Sequence, residues 1–391
     1  MMSPPSTNSS QNLIPGFLMG GFECSTHRLG SGRRLDLIAS TKHDKFVRED
    51  YQRLREIGVQ VVRDGLRWHK IEPEPGQYDF SSVLPMLQAA EETGLKVIWD
   101  VCHYGWPDDV AIFKPAFVER MGKFTQAFVR MHLEVTGRAP WIAPVNEISF
   151  FAWAGGQIAM FNPGSRGRGD DLKAQLVRAT IASIEGAWEV SRETRIVHTD
   201  PLIRVLGDPQ SKRAQNRADA YHQAQYQSFD MISGRWKPEL GGKPEYLDII
   251  GLNYYPANQW MVHKSAPGKK NPPQLRLGHP AYKPLRELLA ENWQRYQRPL
   301  FLAETGTEGD FRPKWFRYVC DEVAAAIEAG VPVEGLCWYP IVNHPGWTNH
   351  RHCHNGLWDY ADKSGEREAA ESLLEEWGEQ KERFDRLLAG I

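Results

Sequence analysis

The chain is 391 residues long, with 41% hydrophobic and 25% charged residues, enough apolar material for a large buried core, and this excludes extensive disorder. The formal net charge of −2 offers no basic field, which argues against nucleic acid or an anionic membrane as partner. The length admits one large α/β barrel or two to three smaller domains, so the order of elements has to choose.

The opening segment MMSPPSTNSSQNLIPGF has neither a basic n-region nor an apolar h-region, and nowhere do about 18 apolar residues run together. The expectation is a cytoplasmic protein with a flexible start, residues 1–15, ahead of a single domain spanning residues 16–391. Cys24, Cys102, Cys320, Cys337 and Cys353 are scattered and contain no CxxC pair. A reducing compartment fits that pattern better than a disulfide framework or a zinc knuckle.

Eight short apolar segments then alternate with longer helical patterns: Gly16 to Glu23, Val59 to Trp68, Lys96 to His103, Trp141 to Glu147, Arg195 to Asp200, Tyr246 to Tyr255, Pro299 to Thr305 and Val333 to Ile341. Amphipathic patterns over Val47 to Ile57, Ser82 to Thr93, Pro115 to Thr136, Leu172 to Glu193 and Trp315 to Ala329 lie between them. Gly58, Gly94, Gly137 and Gly330 follow the ends of four of these, where a left-handed residue closes a helix. Eight βα units in one chain predict an α/β fold, a single-domain (β/α)₈ TIM barrel.

The loops richest in Gly, Pro and His, Phe161 to Asp171, His263 to Pro280 and Asn343 to Asn355, follow strands four, six and eight. They belong to the barrel face where active sites are built. The tail from Ser364 to Ile391 reads as a final charged amphipathic helix.

Strand four ends WIAPVNE and strand seven PLFLAET, so each carries a Glu at the end of an apolar run. Singly, such a Glu is most simply a paired or solvated rim residue. Together, Glu147 and Glu304 can aim two carboxyls across the barrel mouth at one atom, as glycoside cleavage requires.

The pair Asn146-Glu147 with Glu304 resembles the clan of retaining barrel glycosidases that includes glycoside hydrolase family 1. VRDGLRWHKIEPEPGQYDF, CHYGWP, IIGLNYY and GLCWYPIVNHPGW resemble that family's segments on strands two, three, six and eight, in the same order. The resemblance implies a retaining β-glycoside hydrolase with Glu147 as acid/base and Glu304 as nucleophile, acting on a carbohydrate without cofactor or metal. It also implies that Arg63 and Tyr255 support the nucleophile and that His103 and Asn146 bind sugar hydroxyls. Trp338 would floor the subsite, with Trp347, Asn343 and Glu23 completing the substrate-binding set.

Each role has an ordinary alternative: a buried ion pair for Arg63, a satisfied strand-end residue for His103, a core aromatic for Trp338. Gly346 stands where that family carries an acidic residue that grips the sugar, and Glu23 stands near the place of an expected Gln. The departures point to a different glycone, a longer glycan or sugar transfer. An endo-acting glycanase or transglycosidase of the same clan is the runner-up, and a non-catalytic sugar-binding barrel is a weaker rival. His344, His350, His352 and His354 beside Cys353 raise a metal-dependent hydrolase on ligand type alone; hydroxyl binding or plain loop roles are favoured there.

Overall fold

The computed structural model describes residues 13–262 and 273–390. Of the expected flexible start, residues 1–12 lie outside the described residues, as do residues 263–272 of the loop after strand six. Ile14, inside that start, is fully buried.

Eight parallel strands close into a barrel: β1 (Leu18–Gly21), β2 (Val61–Gly65), β3 (Lys96–Cys102), β4 (Trp141–Val145), β5 (Arg195–Pro201), β6 (Ile249–Asn253), β7 (Leu300–Thr305) and β8 (Val333–Trp338). Each strand is paired with its neighbours in chain order, and β1 pairs with both β2 and β8. Each falls within one residue of its expected segment, because strands covered on both faces are apolar almost throughout.

Every strand is followed by at least one helix; those used to describe the fold are α1 (His43–Glu56), α2 (Leu84–Thr93), α3 (Pro115–Thr136), α4 (Gly169–Val190), α5 (Gln227–Ile232), α6 (Leu285–Tyr296), α7 (Arg312–Glu328) and α8 (Glu371–Ala389), and further helices such as Lys212–Ala224 lie in the loops. The four glycines expected to close helices all have φ between 69° and 85°. α3 and α4 approach closely because Gly186 faces Gly122; a Cβ at 186 would lie 2.5 Å from the Gly122 carbonyl oxygen.

The barrel interior has two layers. Met19, Val61, Ile98, Trp141, Ala143, Val197, Ile249, Phe301 and Cys337 fill the lower part with Ile14. Above them the inward positions are polar, with Arg63, Asp100, Asn146, Thr199, Asn253 and Glu304 all at or below 4% exposure. So dense a layer of buried polar groups is stable only if each finds a partner.

The tail departs from expectation. Arg367–Ala369 is a strand antiparallel to Trp358–Ala361, and α8 starts only at Glu371. The cause is a buried ion network outside the barrel: Arg367 Nε donates to Asp50 Oδ1 at 2.6 Å and holds residue 367 in the extended pair. His43 lies between Asp50 and Asp64, 2.8 Å from each, and the Tyr51 hydroxyl donates to Asp64 at 2.8 Å. The loop after β8 likewise contains a small hairpin, His344–Pro345 against His352–Cys353.

Burial opposes a charge on His43, but the Asp64 and Asp50 carboxylates outweigh it and lift the imidazole from 6.5 to about 9. A pKa raised by folding stabilises the native state fully below the unfolded value and loses that contribution as pH rises through the folded one. Wild-type stability minus that of His43→Gln should therefore be largest near pH 6, about 3–5 kcal/mol for a broken buried pair, and shrink between pH 6.5 and 9. Urea unfolding of both proteins across that range measures it; a pH-independent difference would show the imidazole to be neutral.

Candidate active site

The strand-end carboxyls reach the same space by two different backbone devices. At the end of β4, Glu147 adopts a left-handed φ of 47°, rare for a residue with a side chain and a known place of stored strain. Its N–H is held by the Thr199 carbonyl at 3.0 Å, and the chain turns directly into the short helix Ile148–Phe151. Tyr104, just past β3, has φ 65° and donates its hydroxyl to Glu147 Oε2 at 2.5 Å.

At the end of β7 the device is a bulge. Leu252 pairs with Leu302 but Asn253 with Glu304, so Ala303 is an extra residue. Strict alternation would turn one of the two neighbours outward. The bulge lets Ala303 join the lower interior layer while Glu304 still points inward.

Arg63, with no exposed surface, joins four strands. Its Nη1 donates to Glu304 Oε1 at 3.0 Å and to the Ala303 carbonyl at 2.8 Å; Nη2 donates to Asp100 Oδ2 at 2.8 Å and Asn146 Oδ1 at 3.2 Å. The Tyr255 hydroxyl donates to Glu304 Oε2 at 2.9 Å. Tyr254 points away and bonds the Tyr282 hydroxyl at 2.5 Å, as expected for alternate strand residues.

Among the described residues, no cation bonds to Glu147. Its oxygens accept only from Tyr104 and from Asn253 Nδ2, the latter at 3.0 Å. Burial and the Glu304 charge therefore raise it from 4.5 to about 8. Burial raises Glu304 as well, with a net shift upward, but there the Arg63 guanidinium and the Tyr255 hydroxyl oppose the rise. Two interacting carboxyls that hold one proton keep it on the partner without a cation. The site thus offers a neutral acid at Glu147 opposite a carboxylate at Glu304.

His103 and Asn146 extend the lattice. Asn146 Oδ1 accepts from Arg63 and from Thr199 Oγ1, the latter at 2.7 Å, which fixes the amide so that Nδ2 faces His103 Nε2 at 3.1 Å and Tyr104 Oη at 3.1 Å. Asp100 Oδ2 lies 2.9 Å from His103 Nδ1. Burial lowers and Asp100 raises the imidazole pKa, with a net rise. Yet Asn146 needs Nε2 as an acceptor, so the hydrogen bonds favour a neutral ring with its proton on Nδ1.

Of the other expected residues, Glu23 lies close enough to raise the pKa of Tyr104 and Tyr255 by its charge. Ser25 holds its Oε1 through N–H and hydroxyl. Trp347 is half-buried, with its ring 4.4 Å from His27 and 5.9 Å from Tyr104.

Two residues do not fit their expected roles. Trp338 has no exposed surface; it packs edge-on against Phe316, and its indole N–H donates to the Asn355 carbonyl at 2.9 Å. Its face is core, not a sugar platform. Asn343 accepts from Gly356 N at 2.7 Å, which ties the loop after β8 together. The sequence reading missed Asp100, Tyr104, Thr199, Asn253 and His27. Asp100 in KVIWDVC and Asn253 in IIGLN were visible by the strand-polar rule that found the two Glu. His27 is fully buried with both ring nitrogens unpaired, and burial lowers it to about 3, leaving it neutral.

Two groups among the described residues bring metal-ligand types together. Cys24, Asp100 and His103 already form a hydrogen-bonded cluster with Arg63 on the same Asp100 oxygen, and that guanidinium would repel a cation. His352 and His354 stack 4.2 Å apart and 15° from parallel, with His352 also stacked on Tyr360. Imidazole lone pairs lie in the ring plane, so two nearly parallel rings at this spacing do not converge on one ion. Neither arrangement fits a metal.

A glycoside hydrolase 42 family model, described as β-galactosidase, matches residues 37–107, the stretch that holds Arg63, Asp100 and His103. No curated protein sequence matches. Among solved structures, a family 1 β-glucosidase from Thermotoga maritima superposes with a TM-score of 0.74 at 15% identity, covering 95% of this chain and 99% of that one. A β-glucosidase from the same organism, in complex with glucoimidazole, gives 0.76 at 16% with the same coverage. The AHE enzyme from Alicyclobacillus herbarius also gives 0.76 at 16%, again covering 95% and 99%. At these identities the likeness is one of fold, and it bears out the single (β/α)₈ barrel.

Because the Glu304 charge is, after burial, a cause of the raised Glu147 pKa, Glu304→Gln should lower it. An NMR titration of carboxyl-labelled protein should find a group near pH 8 in the wild type that moves towards 4.5 in the variant. An unmoved group would mean that the two carboxyls do not share a proton.

Proposed function

We propose that this chain hydrolyses β-glycosides by double displacement with retention, with Glu147 as acid/base and Glu304 as nucleophile. The observation that carries it is the unequal support of two buried carboxyls close enough for the charge of one to act on the other, a guanidinium and a phenol on Glu304, and, among the described residues, only neutral donors on Glu147. The fold likeness to β-glucosidases and the matched β-galactosidase segment support the same reading.

Glu304 attacks the anomeric carbon as Glu147 gives its proton to the departing oxygen. Forming the glycosyl ester removes the negative charge from Glu304. The Coulombic cause of the high Glu147 pKa falls with it, and Glu147 becomes a carboxylate able to take a proton from water or an acceptor sugar. Arg63 and Tyr255 position the nucleophile. His103, Asn146, Glu23 and Trp347 are the sugar-binding candidates, joined by His27, whose unpaired nitrogens suit a hydroxyl.

The domain for this chemistry is residues 16–391. It needs no cofactor or metal by this mechanism. Five buried unpaired cysteines agree with a reducing, cytoplasmic setting.

Purified protein should turn over an aryl β-glycoside with the product first seen by NMR as the β-anomer; inversion would overturn the double displacement. Glu304→Gly should lose on the order of 10⁴-fold or more in kcat and regain turnover with azide as an α-glycosyl azide. Glu147→Ala should lose about 10²–10⁴-fold on poor leaving groups and far less on activated ones; equal losses would remove the acid role. The alkaline limb of kcat/KM should fall near pH 8. Tyr104→Phe should move that limb upward, because the Tyr104 hydrogen bond favours ionised Glu147.

A further inference from the structure

A concavity lies behind the aromatic wall beside Glu147. His27, Tyr104 and Phe161 meet there, with ring centroids 6.0, 4.6 and 5.5 Å apart. Arg28, Trp106 and Asn162, one or two residues further along the chain, line a cavity of about 270 Å³, together with Arg34, Asp108 and Arg168. Its lining comes from the loops after β1, β3 and β4, so it opens on the same barrel face as the carboxyl pair.

The charge is unbalanced. Three guanidinium groups meet one lining carboxylate, Asp108, which pairs with both Arg28 and Arg34; with Asp171 paired to Arg168 from outside the lining, a surplus of one positive charge remains. Arg28 gives its remaining contact to the Gly32 carbonyl at 2.6 Å, and Arg34 holds the Thr26 and Trp106 carbonyls at 2.8 and 3.0 Å. These two are fixed struts.

Arg168 is different. It lies flat on the Phe113 ring at 3.6 Å, and Asp171, outside the lining, takes only its Nε, at 3.1 Å. Among the described residues none takes either terminal nitrogen, and the side chain is about half exposed, 48%. A stacked guanidinium with an open fork is pre-organised for a planar or tetrahedral oxyanion. Val110, Ile112 and Pro163 supply an apolar wall beside it.

We propose that this cavity binds an oxyanion group, a carboxylate, sulfate or phosphate, carried on a ligand about the size of one sugar ring. The volume lies just under the range of about 300–1,000 Å³ typical of small-molecule sites, which excludes a longer glycan. The anion is either the charged far end of a substrate's leaving group or a separate small metabolite. Binding itself does not depend on the proposed hydrolysis; only the choice between these two sources does.

Isothermal titration with glucuronate and glucose 6-phosphate, against glucose, tests the site directly. At least one anion should bind at least about tenfold more tightly than glucose, more weakly at high salt, and about tenfold more weakly to Arg168→Gln than to wild type. Arg168→Lys should recover only part of that loss. Equal binding of anions and glucose, or no effect of Arg168→Gln, overturns the site.

A second arm separates the sources by comparing turnover of aryl glycosides that bear a carboxylate or its methyl ester. A lower KM for the carboxylate that disappears in Arg168→Gln assigns the anion to the substrate. Anion binding without that preference assigns it to a separate ligand. Anion binding by a protein that turns over no glycoside leaves this site standing and removes the hydrolase reading alone.

Discussion

A guanidinium sealed inside a barrel needs oxygens for its donors, and the two terminal nitrogens of Arg63 find them on β7, β3 and the end of β4 at once, while its Nε has no partner among the described residues. Each bond fixes a group whose own geometry matters. Asp100 is thereby turned towards His103, Asn146 towards His103 and Tyr104, and Glu304 towards the cavity. Breaking one partner would leave a buried charge uncompensated, which costs several kcal/mol. The polar upper half of the barrel is therefore a single unit, resting on an apolar lower half that asks for nothing but shape.

That unit also divides the labour of the two carboxyls. The cation sits on one side only, and the other side is closed by Tyr104, Phe150, Phe151 and Phe161 around the Glu147 segment. An aromatic wall lowers the local dielectric and makes the neutral form of Glu147 the cheaper one, while the guanidinium does the reverse for Glu304. Two identical side chains acquire opposite protonation from their surroundings alone.

Much of this was legible in the sequence for a physical reason. Strands covered on both faces leave unbroken apolar runs, and a polar residue at the end of such a run has few explanations, which is how Glu147, Glu304 and Asn146 stood out. Arg63 came only with the resemblance of its strand-two segment to family 1. What was not legible depended on backbone conformation: no pattern marks Tyr104 or Glu147 as left-handed, and nothing in PLFLAET marks a bulge. Trp338 shows the converse. An aromatic on a barrel strand can face the cavity or the helices with the same sequence, and here it faces Phe316 in the outer shell. Arg367 looked like one more charged residue of a surface tail until Asp50 placed it in the interior.

The bulge at Ala303 amounts to a phase shift in a code of period two. Without it, β7 could pair with both neighbours and keep the barrel closed, yet it could not present Ala303 to the lower layer and Glu304 to the cavity together. One inserted residue therefore separates a packed barrel from a barrel with a second carboxyl. A relative lacking that insertion would keep the architecture and most of the apolar pattern while losing the chemistry, so strand length in β7 distinguishes such proteins where overall similarity does not.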